Sequence, residues 1–435
     1  MKRGHRLILI AFLALNYRAV MAQTLNPSQA PEILSLERAK EIAIKNHPKV
    51  RESLLDALAA NQVVIQTRSI YFPQVYGNAT GVIAESNSRI AAGGLNNPII
   101  FNRYSNGVIG NQFVTDFGRT YNLVKSSWLH SQAQQANVEA TRQQILLQLA
   151  QAYYAALQSQ AILKVAKETV AQRQLVVDQV TALAKSQLRS ELDVSFAKVS
   201  LEQARLFLIQ AKNDLDASFA QLSTALGYQR ERAFQLVEEP MPGPPPSDIN
   251  SLIGEAFRQR PDLASLTLER DSAQRFATAE RDLWFPTISA IGVVGITPFH
   301  ADQLSGRYAA VGVNISIPIF NGGLFGALRR EANLKAQAAE QKQRDLMNLV
   351  SRDVRVAWLN LNTAFKRLDV TAQLLEQAKL ALDLAQGRYK LGLGSIIELT
   401  QAQLNLTQAE VDNTTARYNY QLQHAVLDYQ TGILH

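Results

Sequence analysis

The 435-residue chain contains no cysteine. Disulfides and thiolate metal sites are thereby excluded, and so is a lipid-modified N-terminal cysteine, so a lipoprotein is not expected. Beyond the N-terminal leader no run approaches the ~18 apolar residues of a helical membrane span. Histidine is scarce: His5, His47, His130, His300, His424 and His435 complete the set, and none pairs at metal-ligand spacing. No His-Glu-x-x-His, Walker loop, Gly-x-Ser-x-Gly or dinucleotide fingerprint occurs. No catalytic site, cofactor or metal is expected, and the chain does not read as an enzyme. Strong basic charge is lacking too. The formal net charge is +7, but Lys2, Arg3, Arg6 and Arg18 lie in the leader and +3 remains without them. A nucleic-acid partner is not indicated.

Residues 1–22 read as a signal peptide. Met1 to Arg6 form a basic n-region, Leu7 to Leu15 an apolar h-region, and Val20-Met21-Ala22 a cleavage site before Gln23. The alternative, an uncleaved anchor, meets an apolar stretch too short for a bilayer and followed by Arg18. An exported chain without membrane helices is either soluble or an outer-membrane barrel.

What the sequence has, it has twice. Asn46-His47-Pro48 answers Gln259-Arg260-Pro261, and Tyr71-Phe72-Pro73 answers Trp284-Phe285-Pro286. Ser190, Leu192, Asp193, Ala197, Leu201 and Ala204 answer Ser395, Ile397, Glu398, Ala402, Leu406 and Ala409. Leu226-Gly227 answers Thr431-Gly432. The spacing predicts a first structural repeat over 23–237, a Pro-rich linker over 238–250 and a second repeat over 251–435. Each unit reads helix, helix, strand, loop, strand, then two very long helices. His47, before Pro48 at a helix break, reads as a capping or packing residue.

Helix signals dominate. Val350, Val354, Ala357, Leu361, Ala364, Leu368, Thr371, Leu375, Ala378, Leu382, Ala385 and Tyr389 recur at alternating spacings of four and three. A sustained 3.5-residue period means coiled-coil packing. From Arg119 to Ser186 neither Pro nor Gly interrupts the pattern, which predicts a rod on the order of 100 Å. Gly323 to Leu391 predicts a second. Tyr308 to Phe320 alternates, with Val311, Val313, Ile315, Ile317 and Ile319 on one face and small or polar residues on the other. Gln74 to Ile83 and Thr287 to Ile296 alternate less cleanly. This fits a barrel with lipid outside or a half-buried strand of a soluble sandwich. Loops are expected at about 85–104 and 298–307. Tyr71, Phe72, Trp284 and Phe285 at strand starts, and Phe117 and Phe320 at strand ends, suit a membrane-interface girdle or ordinary corners. The five prolines of Glu238 to Pro246 predict an extended strap.

Together these markers resemble the TolC family of outer-membrane channel proteins. Besides the duplication, the resemblance rests on Arg260-Pro261-Asp262-Leu263, the aromatic-Pro strand starts, and the run Arg388-Tyr389-Lys390-Leu391-Gly392-Leu393-Gly394-Ser395-Ile396-Ile397-Glu398-Leu399. It implies a mainly α fold with a small β part. As a homotrimer, such chains form a 12-stranded outer-membrane β-barrel continued by a periplasmic α-helical barrel. The function implied is a passive exit duct in tripartite efflux or type I secretion, with outer-membrane lipid around it. Its partners would be a periplasmic adaptor (membrane fusion) protein and an inner-membrane pump of RND, ABC or MFS type. The rival reading is an exported trimeric coiled-coil stalk or adhesin without a pore.

Carried onto this sequence, the family's constriction falls at Asp193 and Glu398, with Gln401 where a further acid would stand. A latch tyrosine matches Tyr389, while its basic partner falls on Gly394, so closure is expected to rest on packing. Rings of carboxylates there would favour cations; solvated helix acids are the plainer reading. The adaptor-contact tips match Leu391-Gly392-Leu393 and, without glycine, Gln187-Leu188. The second tip is therefore expected to be the better contact.

Overall fold

The computed structural model describes residues 32–89, 99–232 and 234–434. The leader and residues 90–98 of the first inter-strand loop lie outside them. The first half runs β1 (Glu32–Leu34), α1 (Leu36–Asn46), α2 (Pro48–Arg68), β2 (Gln74–Val82), β3 (Arg103–Thr115), α3 (Arg119–Lys185) and α4 (Glu191–Ala225). After β4 (Phe234–Leu236) the order recurs as α5 (Ile249–Gln259), α6 (Pro261–Arg281), β5 (Thr287–His300), β6 (Arg307–Ser316), α7 (Leu324–Lys390) and α8 (Ile396–Thr431). Pro48 and Pro261 stand at the first position of their helices, where a missing N–H costs nothing. α3 and α7 are each 67 residues long. Among the described residues no helix is long and apolar enough to cross a membrane.

The heptad positions become the packing seams. Val350, Val354, Ala357, Leu361, Ala364, Ala378, Leu382, Ala385 and Tyr389 are buried along α7. Leu399, Ala402, Leu406 and Ala409 of α8 are buried facing them, and Val194, Ala197, Leu201 and Ala204 of α4 are buried along the hairpin with α3. Toward the tips most of these join Val177 and Val180 in one apolar cluster linking both hairpins. Small residues bring α3 and α6 close: Ser126 Oγ donates to the Ser272 carbonyl and Ser272 Oγ to that of Ser126, both at 2.9 Å. The start of α3 is fixed by Asp116, whose Oδ2 accepts from Thr120 N at 2.8 Å.

β2, β3, β5 and β6 form one antiparallel sheet in that order. β5 runs on to His300, past the expected loop start. Between the pairs Tyr104–Phe299 and Asn106–Ile296 the register shifts, and this bulge accommodates Pro298, which has no ladder donor. β6 stops at Ser316 rather than Phe320, because its partner Thr287 is where β5 begins. Val311, Val313 and Ile315 line one face, and Val311 is 91 % exposed. The register places Val294 and Val108 on that face. On the other face Tyr308 lies across Gly107 and Gly295, where any Cβ would collide with its hydroxyl. The edge strands β2 and β6 each pair on one side only, and their outer sides have no strand neighbour among the described residues.

One feature had no sequence signal. β1 and β4 pair in parallel, Leu34 opposite Leu236. Three-residue strands carry no period to read. The Tyr153 hydroxyl, buried beneath them, donates to the carbonyls of Leu34 (3.0 Å) and Val237 (2.7 Å). The strap that follows is extended, and it is also tied down. Trp358 Nε1 donates to Pro246 O at 2.7 Å, Gln421 Nε2 to Glu239 O at 2.9 Å, and the Tyr420 hydroxyl to Gly243 O.

Candidate functional site

The α3–α4 and α7–α8 hairpins end in tips of the same build. Gln187 (φ +57°) and Gly392 (φ +79°) occupy the left-handed position. At each, the N–H of the next residue bonds back across the turn, Leu188 N to Leu183 O and Leu393 N to Arg388 O, both at 2.9 Å. This closure satisfies the last helical carbonyls. Glycine is therefore not required at the first tip, although Gln187 bears a strain of about 1–2 kcal/mol. Ser190 and Ser395 then cap the returning helices, accepting from Asp193 N (3.2 Å) and Glu398 N (3.1 Å). Asp193 and Glu398 thus stand in first helical turns, where the helix dipole favours negative charge. Leu188, Leu391 and Leu393 are exposed at the extremities.

Tyr389 connects the two tips. It is 5 % exposed, packed in the apolar cluster, and its hydroxyl has no hydrogen-bond partner among the described residues. The Arg189 guanidinium lies over its ring, 4.3 Å from the centroid, and donates to its carbonyl at 2.5 Å. Burial pushes the phenol pKa up, the nearby Asp193 charge adds to this, and Arg189 opposes it. Tyr389 therefore has packing and a cation. Arg189 precedes Ser190 as Gly394 precedes Ser395, so the cation sits at the equivalent place in the other repeat. A Cβ at Gly394 would lie 3.2 Å from Glu398 Oε2 and 3.3 Å from Tyr389 N. A side chain there would require the tip to give.

Glu398 is not an isolated acid, since Arg388 Nε lies 3.1 Å from its carboxylate, both side chains half exposed. The exposed Gln401 amide donates to Asn405 Oδ1 at 2.9 Å. Arg189 and Arg388 were not singled out from sequence. The signal for Arg189 was its equivalence to Gly394.

The antiparallel order places the starts of β2 and β5 and the ends of β3 and β6 on one rim. Tyr71, Phe72, Phe117, Trp284, Phe285 and Phe320 all stand there, exposed. Phe117 and Phe285 are 6.2 Å apart between ring centroids. The sequence missed the aromatics of the opposite rim, the exposed pair Tyr104 and Phe299.

Long returning helical hairpins joined to a sheet with one apolar face and two bare edges define a channel subunit of the outer membrane. The chain belongs to the outer membrane efflux protein family, whose model matches residues 40–228 and 252–432. It is an outer-membrane efflux channel of the TolC class. It is similar to outer membrane protein TolC of Escherichia coli (strain K12), 24% identical over 426 residues, covering 94% of this chain and 83% of that one. Outer membrane protein OprJ of Pseudomonas aeruginosa is 24% identical over 396 residues, covering 88% and 81%. The fold matches a crystal structure of CusC at 20% identity with a TM-score of 0.79, covering 94% of this chain and 95% of that one.

Proposed function

We propose that three copies of the chain pool their strands into one 12-stranded barrel, with the helices continuing as a periplasmic duct. The bare edges of the four-stranded sheet carry this reading. Edge N–H and C=O groups in lipid cost several kcal/mol each unless another strand pairs with them. The outward row of Val311, Val313 and Ile315 supports lipid contact, and the aromatic rim supports placement at the interface. The duct is a passive conduit rather than a catalyst. The returning hairpins favour it over a stalk, which needs no second helix folding back.

The tips form its inner mouth. Asp193, Glu398 and Gln401 would recur around the axis, with Tyr389 and Arg189 holding each subunit's two hairpins together. Leu188, Leu391 and Leu393 suit an apolar contact with a periplasmic adaptor, which would join the duct to an inner-membrane pump. Gly392 takes the left-handed conformation without strain and Gln187 does not, which supports the second tip as the better adaptor contact. Residues 1–22 serve as a cleaved leader, 23–237 and 251–435 as the two repeats, and 238–250 as the link between them.

Single-channel recording of the purified protein beside an Asp193→Asn/Glu398→Gln variant tests this. Small cation-selective steps in the wild type and less selective ones in the variant are expected. Unchanged selectivity would remove the acids from the mouth. No conductance from folded, inserted protein would overturn the conduit.

A further inference from the structure

Arg173 lies toward the tip end of α3, on the floor of a groove between α4 and α8. It is 5 % exposed and forms no ion pair with any described residue. Of its five N–H donors, one is engaged, by Gln403 Oε1. Burial holds its pKa down to about 10, and no acid offsets that fall. A buried cation with no counter-charge is costly, and helix packing gives no return for it.

The groove beside it opens into a cavity of about 250 Å³. Ser200, also buried, lines this cavity, and its hydroxyl bonds to no described residue. Among the remaining walls Phe207, Leu404, Val411 and Ala204 supply apolar surface, beside the polar Thr169, Gln203, Thr400, Thr407 and Gln408. Two buried polar groups with spare donors beside the apolar Phe207, Leu404 and Val411 form a site of mixed character. A guanidinium fork matches a carboxylate bidentately. An inorganic anion would lose hydration against Phe207 and Leu404 and gain nothing from them.

We propose that this groove binds an amphipathic carboxylate, with the carboxylate on Arg173 and Ser200 and the hydrophobic body along Phe207, Leu404 and Val411. At ~30 Å³ per water the cavity equals about eight waters, room for one aromatic ring and its carboxylate.

Equilibrium dialysis of labelled benzoate against the purified full chain in a neutral detergent tests the site. Saturable binding of one benzoate per chain is expected, weakened at least ~10-fold in Arg173→Met by loss of charge-assisted bonds. Benzamide, the neutral analogue, should not compete. Val411→Trp, which fills the groove and leaves Arg173 in place, should abolish binding, and it carries the test if Arg173→Met does not fold. Binding retained in Val411→Trp, or equal competition by benzamide, would overturn the site. Displacement by sulfate on equal terms would make it an inorganic-anion site and overturn the amphipathic assignment. No saturable binding to the wild type would overturn it as well, as when a carboxylate of a neighbouring chain already fills the groove. Conductance does not depend on any of these results.

Discussion

Gly227 sits with φ +81° directly against the backbone of His47, so that a Cβ there would come within 3.0 Å of the His47 Cα. Gly432, also at φ +81°, stands in the same relation to Arg260. In each repeat the last long helix therefore ends by seating a glycine on the kink between the first two. Substituting alanine at either position should cost on the order of 1–3 kcal/mol from strain alone, with further cost from the clash. Gly387, within α7 and with nothing near its Cβ position, is the control. Alanine there should stabilise by about 1 kcal/mol through helix propensity. Thermal melts of the three variants check this, and equal behaviour of Gly387→Ala and Gly432→Ala would refute it.

Arg189 and Tyr389 offer a separable pair of substitutions. Arg189→Ala removes a cation–π contact of about 0.5–2 kcal/mol together with the bond to the Tyr389 carbonyl. Tyr389→Phe removes only a buried hydroxyl that has no partner, and should be neutral or slightly stabilising. In bilayer recordings Arg189→Ala should open more often or more widely, while Tyr389→Phe should match the wild type. The reverse order would show that the hydroxyl, not the cation, holds the tips.

Two histidines give opposite pH dependences. His47 Nδ1 accepts from Lys49 N at 3.2 Å, and burial, then the Lys49 charge, lowers its pKa below 6.5. Its contribution to stability is present above pH 6.5 and fades as pH falls through the folded value, because a proton on Nδ1 ends the cap. His424 is raised above 6.5, chiefly by its hydrogen bond to Asp428. Its contribution is present below pH 6.5 and is lost as pH rises through the folded value. Comparing melting midpoints at pH 5 and 8, His47→Asn should lose less on acidification than the wild type, and His424→Gln less on going alkaline. Identical pH profiles for all three would dismiss both assignments.

Tyr153→Phe leaves the carbonyls of Leu34 and Val237 without their buried donor. A loss of about 1–3 kcal/mol is expected, with faster amide exchange in β1 and β4. Unchanged exchange there would show that the strand pair stands without the tyrosine.

Long-period features were legible in the sequence. A 3.5-residue repeat sustained from Val350 to Tyr389 admits one packing, and the unbroken stretch after Arg119 admits one length. The alternation of Val311, Val313 and Ile315 marked a strand, and only the register with β5 settled where it stopped. Relationships between hairpins were not legible. Arg189 reaches Tyr389, and Arg173 is buried by α4 and α8, because of how separate helices sit together. Read along its own stretch of sequence, each is an ordinary surface charge. β1 and β4 are too short to show a period, and the strap's carbonyl bonds depend on Trp358, Tyr420 and Gln421, distant in sequence from it.

The pairing of Leu34 with Leu236 also sets an order of events. β1 comes near the beginning of the chain, and its partner follows only after both the first strand pair and the first helical hairpin. A chain exported N-terminus first presents β1 long before β4 arrives, so the clasp is a high-contact-order closure. Until then β1 is an unpaired strand with Ile33 exposed, the kind of segment that aggregates or pairs with the wrong chain. Closure of the first half is thus a matter of timing, set by the arrival of β4.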